Sequence, residues 1–170
     1  MRTTVLFLVA LIAGPLPAAA LDPDTSLSAA SASFIGEDSL DYAGWSVASG
    51  GDVNNDGFDD ILVGADNDEE GGSGAGQTYL ILGKASGWAM DASVEGAATA
   101  SFLGESSGDG AGRSVAFAGD VNDDGFDDFL IGANYRAGSA GETYLILGKA
   151  SGWTMNTSLA NADASFPGEV

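Results

Sequence analysis

Residues 52–60 read Asp52-Val53-Asn54-Asn55-Asp56-Gly57-Phe58-Asp59-Asp60, and residues 120–128 read Asp120-Val121-Asn122-Asp123-Asp124-Gly125-Phe126-Asp127-Asp128. Both stretches follow the pattern D-x-N-x-D-G-x-x-D, in which positions one, three and five carry side-chain oxygens. A tight loop can turn these oxygens toward one centre, and the glycine at position six allows the positive φ of a sharp turn. The pattern therefore predicts two loops that each bind a hard cation.

Each loop is predicted to bind one Ca²⁺ through positions one, three, five, seven and nine, with position seven contributing its backbone carbonyl. Three carboxylates within nine residues repel one another, by roughly 3 kcal/mol per pair at ~5 Å and an effective dielectric of ~20, and a divalent cation reverses this repulsion. Oxygen ligands alone favour Ca²⁺ over zinc or copper. An acidic surface turn is the alternative, but two identical copies favour the cation. The predicted ligands are Asp52, Asn54, Asp56, Phe58 and Asp60 in the first loop and Asp120, Asn122, Asp124, Phe126 and Asp128 in the second.

Other calcium-binding motifs fit these loops poorly. An EF-hand needs a bidentate Glu at position twelve, where this chain has Val63 and Ile131. A dockerin-type pair fails for the same reason and would place its loops closer together. Tandem nonapeptide repeats need G-G-x-G-x-D, which residues 71–76 do not supply. Each loop is followed instead by a short apolar run that ends at Gly, which indicates a buried strand.

The N-terminal segment has the pattern of a secretory signal peptide. Arg2 provides the positive charge, residues 5–13 are apolar, and Ala18-Ala19-Ala20 provides the small residues of a cleavage site. We predict a signal peptide over residues 1–20 and a linker over residues 21–31. The apolar run is too short to span a membrane, so no insertion is expected after cleavage. The protein is expected to be secreted or on the cell surface, with the periplasm as the alternative.

The composition excludes several classes of function. The chain has 170 residues with 5 basic and 25 acidic side chains, and it contains no His and no Cys. Nucleic acid is a poor partner for such an acidic surface. Without His or Cys there is no Ser-His-Asp or Cys-His catalysis and no His-based zinc site. An exported chain without disulfides needs another source of stability, which bound calcium would supply.

An internal repeat extends well beyond the loops. Residues 32–37, 100–105 and 164–169 are related copies, which gives a period of 68 and then 64 residues. Strand candidates in the first copy cover residues 44–50, 60–65, 77–83 and 99–104, separated by Gly and Asx clusters. Ile61 to Val63 and Tyr79 to Leu82 are apolar without alternation, as expected for strands covered on both faces. Four strands in a repeat of this length predict an all-β fold made of four-stranded antiparallel β-propeller blades.

These residues resemble FG-GAP repeats, the blade units of the integrin α-subunit propeller and of many secreted bacterial proteins. The resemblance covers about residues 30–170 and rests on the cation loop, the Ser-Val-Ala strand before it and the Gly-Ala turn after it. The Phe of the Phe-Gly position is replaced by Ala43 and Ala111, and the Pro of Gly-Ala-Pro by Asp66 and Asn134. The resemblance implies one Ca²⁺ per blade, in the loop between the first and second strands.

We predict one blade over residues 32–104 and a second blade, with the start of the next repeat, over residues 105–170. Propellers need more blades than two, so the chain is expected to be part of a seven-bladed ring. The further blades come from a longer chain of which this is the N-terminal part, or from self-association of several chains. A truncated product of low stability is a third alternative.

Three functional hypotheses remain open at this point. The first is a secreted, calcium-stabilised module that binds an extracellular protein or a glycan, as the family resemblance implies. The second is part of an extracellular enzyme, although no catalytic residue is identified and no enzyme activity is predicted. The third is a structural component of a surface or matrix. Trp45, Trp88 and Trp153 are expected to pack between blades rather than stack on sugars. The acidic residues 66–70 are expected to form a solvated loop, with extension of the cation site as the alternative.

Overall fold

A computed structural model describes residue 28 and residues 30–169 of the chain. The predicted signal peptide and most of the predicted linker lie outside the described residues. Within the described part, none of the helices has the length and apolar character needed to cross a membrane. The strands are β1 (Phe34–Ile35), β2 (Ser46–Gly51), β3 (Asp60–Ala65), β4 (Gln77–Ile81), β5 (Ala92–Ser93), β6 (Ala100–Leu103), β7 (Ala111–Gly119), β8 (Asp128–Ala133), β9 (Glu142–Ile146), β10 (Thr157–Ser158) and β11 (Ala164–Pro167).

The first repeat contributes four antiparallel strands, β2, β3, β4 and β6 in that order, to a five-stranded sheet that β10 completes beside β6. One row of paired residues crosses these four strands, from Val47 to Val63, then to Tyr79 and finally to Ser101. Every residue of β3 and of β4 is buried. This confirms the prediction that the non-alternating apolar runs are strands covered on both faces.

The second repeat forms the same four-stranded arrangement from β7, β8, β9 and β11. The corresponding row of pairs runs from Val115 to Ile131, then to Tyr144 and finally to Ser165. Because repeated residues occupy repeated positions, the two sheets are two copies of one blade. The predicted all-β fold of four-stranded antiparallel blades is therefore confirmed.

Two short strands that the sequence did not indicate, β5 and β10, follow Trp88 and Trp153 and form parallel pairs with other strands. Strand β10 pairs with β6, placing Thr157 opposite Phe102, and β5 pairs with β1, placing Ala92 opposite Phe34. Each short strand leads into one helical turn, α1 (Val94–Ala97) or a 3-10 turn (Leu159–Asn161). The serine before each turn caps it, because its hydroxyl accepts a backbone hydrogen bond. The pairing places β1 where the outer strand of a preceding blade would lie.

The main hydrophobic core lies between the two blades. Phe129 of β8 is fully buried at its centre, with ring centroids of Phe102 at 5.4 Å, Trp153 at 6.2 Å and Phe117 at 6.4 Å. Val53, at position two of the first cation loop, is also fully buried in this core. The first loop is therefore attached directly to the packing between blades. The other buried members are Leu62, Leu80, Ala100, Ala111, Ile131, Ala133, Tyr144, Ile146 and Leu159.

A close contact between the blades explains two of the repeated glycines. A Cβ on Gly64 would collide with the carbonyl oxygen of Gly112 in the next blade. The Ser46 hydroxyl donates a 2.7 Å hydrogen bond to that same carbonyl, and Gly112 has a positive φ of 83°. The two blades thus approach each other closely at Gly64 and Gly112. A side chain at Gly64 would collide with the Gly112 carbonyl, and the positive φ of Gly112 favours glycine.

The prediction that the tryptophans pack between blades is confirmed at Trp88 and Trp153, and Trp45 contacts the next blade without being buried. Trp88 and Trp153 are partly buried against the hydrophobic clusters, as expected of residues that pack blades. Trp45 is 51% exposed. The guanidinium of Arg113 lies over its ring at 4.6 Å, and Tyr42 contacts its side at 6.1 Å. The amphipathic indole is stabilised here by a cation rather than by burial.

Candidate metal loops and an acidic cleft

The first predicted cation loop connects β2 to β3, and its polar side chains turn inward onto the loop's own backbone. The N–H of Asp56 donates to Asp52 Oδ1 at 3.0 Å and to Asn54 Oδ1 at 3.2 Å. The N–H of Gly57 donates to Asp52 Oδ2 at 2.8 Å, and Asn54 Nδ2 donates to Asp56 Oδ2 at 2.8 Å. Positions one, three and five are therefore brought together within one turn of chain.

The second loop connects β7 to β8 and repeats this geometry closely. The N–H of Asp124 donates to Asp120 Oδ1 at 3.0 Å and to Asn122 Oδ1 at 3.1 Å. The N–H of Gly125 donates to Asp120 Oδ2 at 2.8 Å, and Asn122 Nδ2 donates to Asp124 Oδ2 at 2.8 Å. The same nine-residue pattern thus folds in the same way in both blades, which indicates that local interactions determine the loop.

The backbone of each loop turns at two residues with positive φ. Position four has φ of 54° at Asn55 and 61° at Asp123, while position six has φ of 89° at Gly57 and 91° at Gly125. Asn and Asp tolerate the left-handed region better than other residues with a side chain. No atom lies within 4 Å of a Cβ built on Gly57, so this glycine is needed for its conformation and not for space.

The carboxylates at position nine attach each loop to the sheet. The Asp60 side chain is fully buried and accepts hydrogen bonds from Val53 N at 2.8 Å and Gly83 N at 2.7 Å. Asp128 is equally buried and accepts from Val121 N at 2.9 Å and Gly148 N at 2.7 Å. Each carboxylate therefore connects the start of a cation loop to the second residue after the third strand of its blade.

Burial raises the pKa of Asp60 to about 6, against the two backbone hydrogen bonds that favour its charged form. The negative charges of Asp52 and Asp56 raise the pKa further. Asp52 and Asp56 thus lie close enough to disfavour the ionisation of Asp60. A cation bound in the loop would offset both the free-energy cost of burying the charged carboxylate and the repulsion between the carboxylates.

The donors of each loop fit an oxygen-coordinated cation. In the described residues no group of three or more His, Cys, Asp or Glu side chains is arranged to hold a metal by itself. Each loop instead combines two carboxylates with one amide oxygen, a mixture typical of calcium ligands. The phenyl side chains of Phe58 and Phe126 cannot coordinate a cation, so their predicted contribution through backbone carbonyls stays a prediction. The same holds for direct coordination by Asp60 and Asp128.

A cleft of about 520 Å³ lies at the opposite end of the first blade, beside the start of β2 and the end of β3. The Tyr79 hydroxyl contacts two of its carboxylates, Glu37 Oε1 at 2.7 Å and Asp68 Oδ2 at 3.1 Å. Burial raises the pKa of Glu37, Asp41 and Asp68, and neighbouring carboxylates add to the effect. We call this the acidic cleft, and its acidic residues are Glu37, Asp38, Asp41, Asp68, Glu69 and Glu70.

In the second blade a guanidinium occupies the equivalent place. Arg136 forms ion pairs with Glu105, with Asp109 at 3.2 Å and with Glu142 at 3.2 Å. The Tyr144 hydroxyl contacts Glu105 Oε1 at 2.8 Å, as Tyr79 contacts Glu37 in the first blade. Of the four basic side chains within the described residues, none lies in the acidic cleft. Lys84 and Lys149 stack on Trp88 and Trp153, and Arg113 pairs with Asp66.

The acidic cleft was not predicted from the sequence, and the expectation that residues 66–70 form a solvated loop is partly wrong. Asp66 and Asp68 are buried, with 8% and 2% exposure, rather than solvated. The repeated Glu37 and Glu105 provided a signal, because each is followed by an Asp four residues later. Arg136 lies in a stretch whose length differs between the repeats, so comparison of the copies could not place it.

Comparison with known proteins agrees with the two-blade structure. The FG-GAP repeat family matches the chain at residues 43–81 and 111–146, which end at the last residues of β4 and β9. Integrin alpha-8 of Mus musculus is 37% identical over 107 residues, or 60% of this chain and 9% of the relative. Integrin alpha-8 of Gallus gallus is 35% identical over 107 residues, or 60% of this chain and 10% of the relative.

Integrin alpha-V of Gallus gallus is 31% identical over 125 residues, which is 70% of this chain and 11% of that protein. The chain thus spans between 9% and 11% of the length of these curated relatives. The residues that match the FG-GAP repeat family lie in the two blades of the structure. The chain therefore contains two FG-GAP repeats, one in each blade, and is similar to integrin α subunits.

Proposed function

We propose that this chain is a secreted, calcium-binding propeller module that binds an extracellular protein or a glycan. The observation that carries the proposal is the repeated loop, which gathers two carboxylates and an amide in the same way in two adjacent blades of the integrin α type. In this proposal residues 1–20 are a signal peptide, residues 21–31 a linker, residues 32–104 the first blade, and residues 105–170 the second blade with the start of the next repeat.

Calcium would serve as a structural ion. Asp52, Asn54, Asp56, the Phe58 carbonyl and Asp60 would hold it in the first loop, and the equivalent residues Asp120, Asn122, Asp124, Phe126 and Asp128 would hold it in the second. When bound, the ion supplies positive charge that offsets the repulsion between carboxylates. Because each loop joins the two inner strands of a blade, the ion would hold those strands together. Further blades, from the same chain or another copy, would complete a ring of seven.

The acidic cleft supports a protein partner with a basic surface. Its carboxylates have no basic partner among the described residues, whereas the equivalent carboxylates of the second blade surround Arg136. A basic side chain of a partner would supply the missing positive charge, and charge complementarity of this kind increases both specificity and association rate. The cleft lies at the opposite end of the blade from the cation loops, so partner binding and calcium binding would use different edges.

An enzyme is the second candidate, and the acidic cleft is the observation that favours it. Glu37 and Asp68 have raised pKa values in an open cleft, as carboxyl groups that act as general acids often do. Both carboxylates lie within hydrogen-bond distance of the Tyr79 hydroxyl, which favours a structural role over a catalytic acid–base pair. We therefore place binding first and catalysis second, with a purely structural matrix component as the third alternative.

Calcium dependence of folding tests the first half of the proposal. A ligand at 100 times its dissociation constant stabilises the folded state by about 2.7 kcal/mol per site. The melting temperature should therefore be several degrees higher in Ca²⁺ than in EDTA, and Asp56→Ala with Asp124→Ala should remove most of the increase. Glu95→Gln, outside both loops, should retain it. An identical melting temperature in Ca²⁺ and EDTA would show that the loop assignment is wrong.

Surface plasmon resonance against purified extracellular-matrix proteins and a glycan array tests the second half. Binding to a basic matrix protein should be strong for the wild type and lost in Asp68→Arg, which gives the first cleft the cation of the second. Asp163→Asn, which changes an acidic residue outside the cleft, should bind normally. Binding that survives Asp68→Arg would move the partner surface elsewhere, and binding to glycans alone would exclude a protein partner.

A further inference from the structure

The first cation loop is hydrogen-bonded to the neighbouring blade at its first position. The N–H of Asp52 donates to Asp127 Oδ2 at 3.0 Å, and the N–H of Asp127 donates to the carbonyl oxygen of Asp52 at 3.1 Å. Both main-chain polar groups of Asp52 are thus paired with one residue of the second blade. Asp52 is also the residue whose side chain receives hydrogen bonds from Asp56 and Gly57.

The second position of the first loop is held across the same boundary. Val53 is fully buried, and its carbonyl oxygen accepts a 2.8 Å hydrogen bond from the N–H of Lys149 in the second blade. Its own N–H donates to Asp60 Oδ2. The equivalent Val121 is 52% exposed. Within the part of the chain that the structure describes, neither Asp120 nor Val121 has a hydrogen-bond partner in another blade.

Asp127 is position eight of the second loop, and this position is not one of the predicted ligands. The equivalent residue of the first loop, Asp59, is exposed, and its side chain makes no hydrogen bond to another described residue. The two copies of one motif residue therefore have different surroundings. Asp127 belongs to the second loop, but its hydrogen bonds are to Asp52 in the loop of the preceding blade.

We propose that Asp127 is a positioning residue that holds the first loop in its cation-binding shape from the neighbouring blade. The first loop then binds Ca²⁺ more tightly than it would without the Asp127 contacts. A loop that is already ordered loses less conformational freedom when it binds. Since coupling is reciprocal, calcium in the first loop also stabilises the contact between the blades. This inference rests on the proposed calcium function and adds that a residue of the neighbouring blade supports the first site.

Coupling between sites commonly changes affinity by about 5- to 150-fold. Asp127 is only partly buried, so we expect the lower part of this range, with a loss of about tenfold at the first loop when the contact is removed. Charge alone predicts a different result. The Asp127 carboxylate belongs to the second loop and lies 3.0 Å from Asp52 N of the first, so loss of its charge alone would weaken both loops. Positioning instead predicts that a substitution at Asp127 weakens the first loop and leaves the second unchanged.

Calcium titrations followed by NMR separate the two loops, because the Gly57 and Gly125 amides report on one loop each. Asp127→Ala should weaken calcium binding at the first loop by about tenfold and leave the second unchanged. Asp127→Asn also removes the charge but keeps an oxygen acceptor, so it should restore part of the affinity. Asp59→Ala is the matched control, because it removes a carboxylate from the same motif position without breaking a hydrogen bond.

Amide hydrogen exchange in EDTA provides a readout that needs no metal. Asp127→Ala should speed exchange of the Asp52 amide and leave the Asp120 amide unchanged. Unchanged calcium affinity of the first loop in Asp127→Ala would overturn the inference while leaving the proposed function intact. If neither loop binds calcium, the proposed function fails, and so does the claimed effect of Asp127 on affinity. Unchanged exchange of the Asp52 amide in Asp127→Ala would overturn the positioning contact itself.

Discussion

Replacing Val53 by Ala tests whether the first cation loop is built into the core between the blades. The Val53 side chain is fully buried among apolar side chains of both blades. The substitution removes two methyl groups, worth about 0.8 kcal/mol each in transfer from water. A residual cavity of ~50 Å³ adds about 1 kcal/mol at roughly 24 cal/mol per Å³. Val53→Ala should therefore lower the free energy of unfolding by about 2 to 3 kcal/mol.

The repeat supplies the matched control, because Val121 holds the same position in the second loop and is 52% exposed. Val121→Ala should cost about 0.5 kcal/mol or less, as substitutions at exposed positions usually do. Urea unfolding at saturating Ca²⁺, with both variants compared at an unchanged m-value, measures the two costs. Equal costs at the two positions would refute the assignment of Val53 to the inter-blade core.

Two further predictions concern the acidic cleft and its counterpart in the second blade. Burial raises the folded-state pKa of Asp68 above its ordinary 3.8. Just above pH 3.8 the folded chain therefore holds more protons than the unfolded chain. The free energy of unfolding should fall as the pH rises from 3.8 through the folded-state pKa. Asp68→Asn should flatten this dependence and raise stability at pH 7, as measured by urea unfolding at pH 4.5, 5.5 and 7; a wild-type stability that rises with pH across the window would contradict this. Arg136→Met leaves three carboxylates without their cation and should cost about 2 to 3 kcal/mol, less than a fully buried pair because the Arg136 side chain is 23% exposed. Lys84→Met, which removes an exposed cation over Trp88, should cost below about 0.5 kcal/mol in the same assay, and equal costs would contradict the buried network.

The cation loops were predictable because their geometry is local. Asp52 and Asp56 are four residues apart, and each of their contacts within the loop spans five residues or fewer. Interactions of this range follow from the order of residues along the chain. The same argument explains why the first and second loops agree in their hydrogen-bond distances.

The partners of Asp60 were not predictable in this way. The pattern places a carboxylate at position nine and suggests a ligand, but one of its hydrogen bonds comes from Gly83, twenty-three residues later. Strand pairing between β3 and β4 brings that amide to Asp60. The pattern alone therefore could not show that this carboxylate also attaches the loop to the sheet.

Trp45 and Arg113 show the same limit at the exposed end of the blades. They are equivalent residues of the two repeats, yet the sequence analysis assigned Trp45 to blade packing and gave Arg113 no role. In the structure the guanidinium of Arg113 lies between the rings of Trp45, at 4.6 Å, and Tyr135, at 5.2 Å. Only the packing of one blade on the next brings these side chains together.

The sequence by itself determined the repeat, the all-β blades and the shape of the cation loops, since each depends on interactions along one strand or one turn. The tertiary structure decided which copy of each repeated residue is buried. Val53 and Val121 occupy the same motif position, but a second blade covers only the first of them. The sequence gives Asp68 and Arg136 opposite charges, but only the tertiary structure brings each of them beside an equivalent glutamate, Glu37 or Glu105. Identical local chemistry thus acquires different roles because packing between blades gives each copy different neighbours.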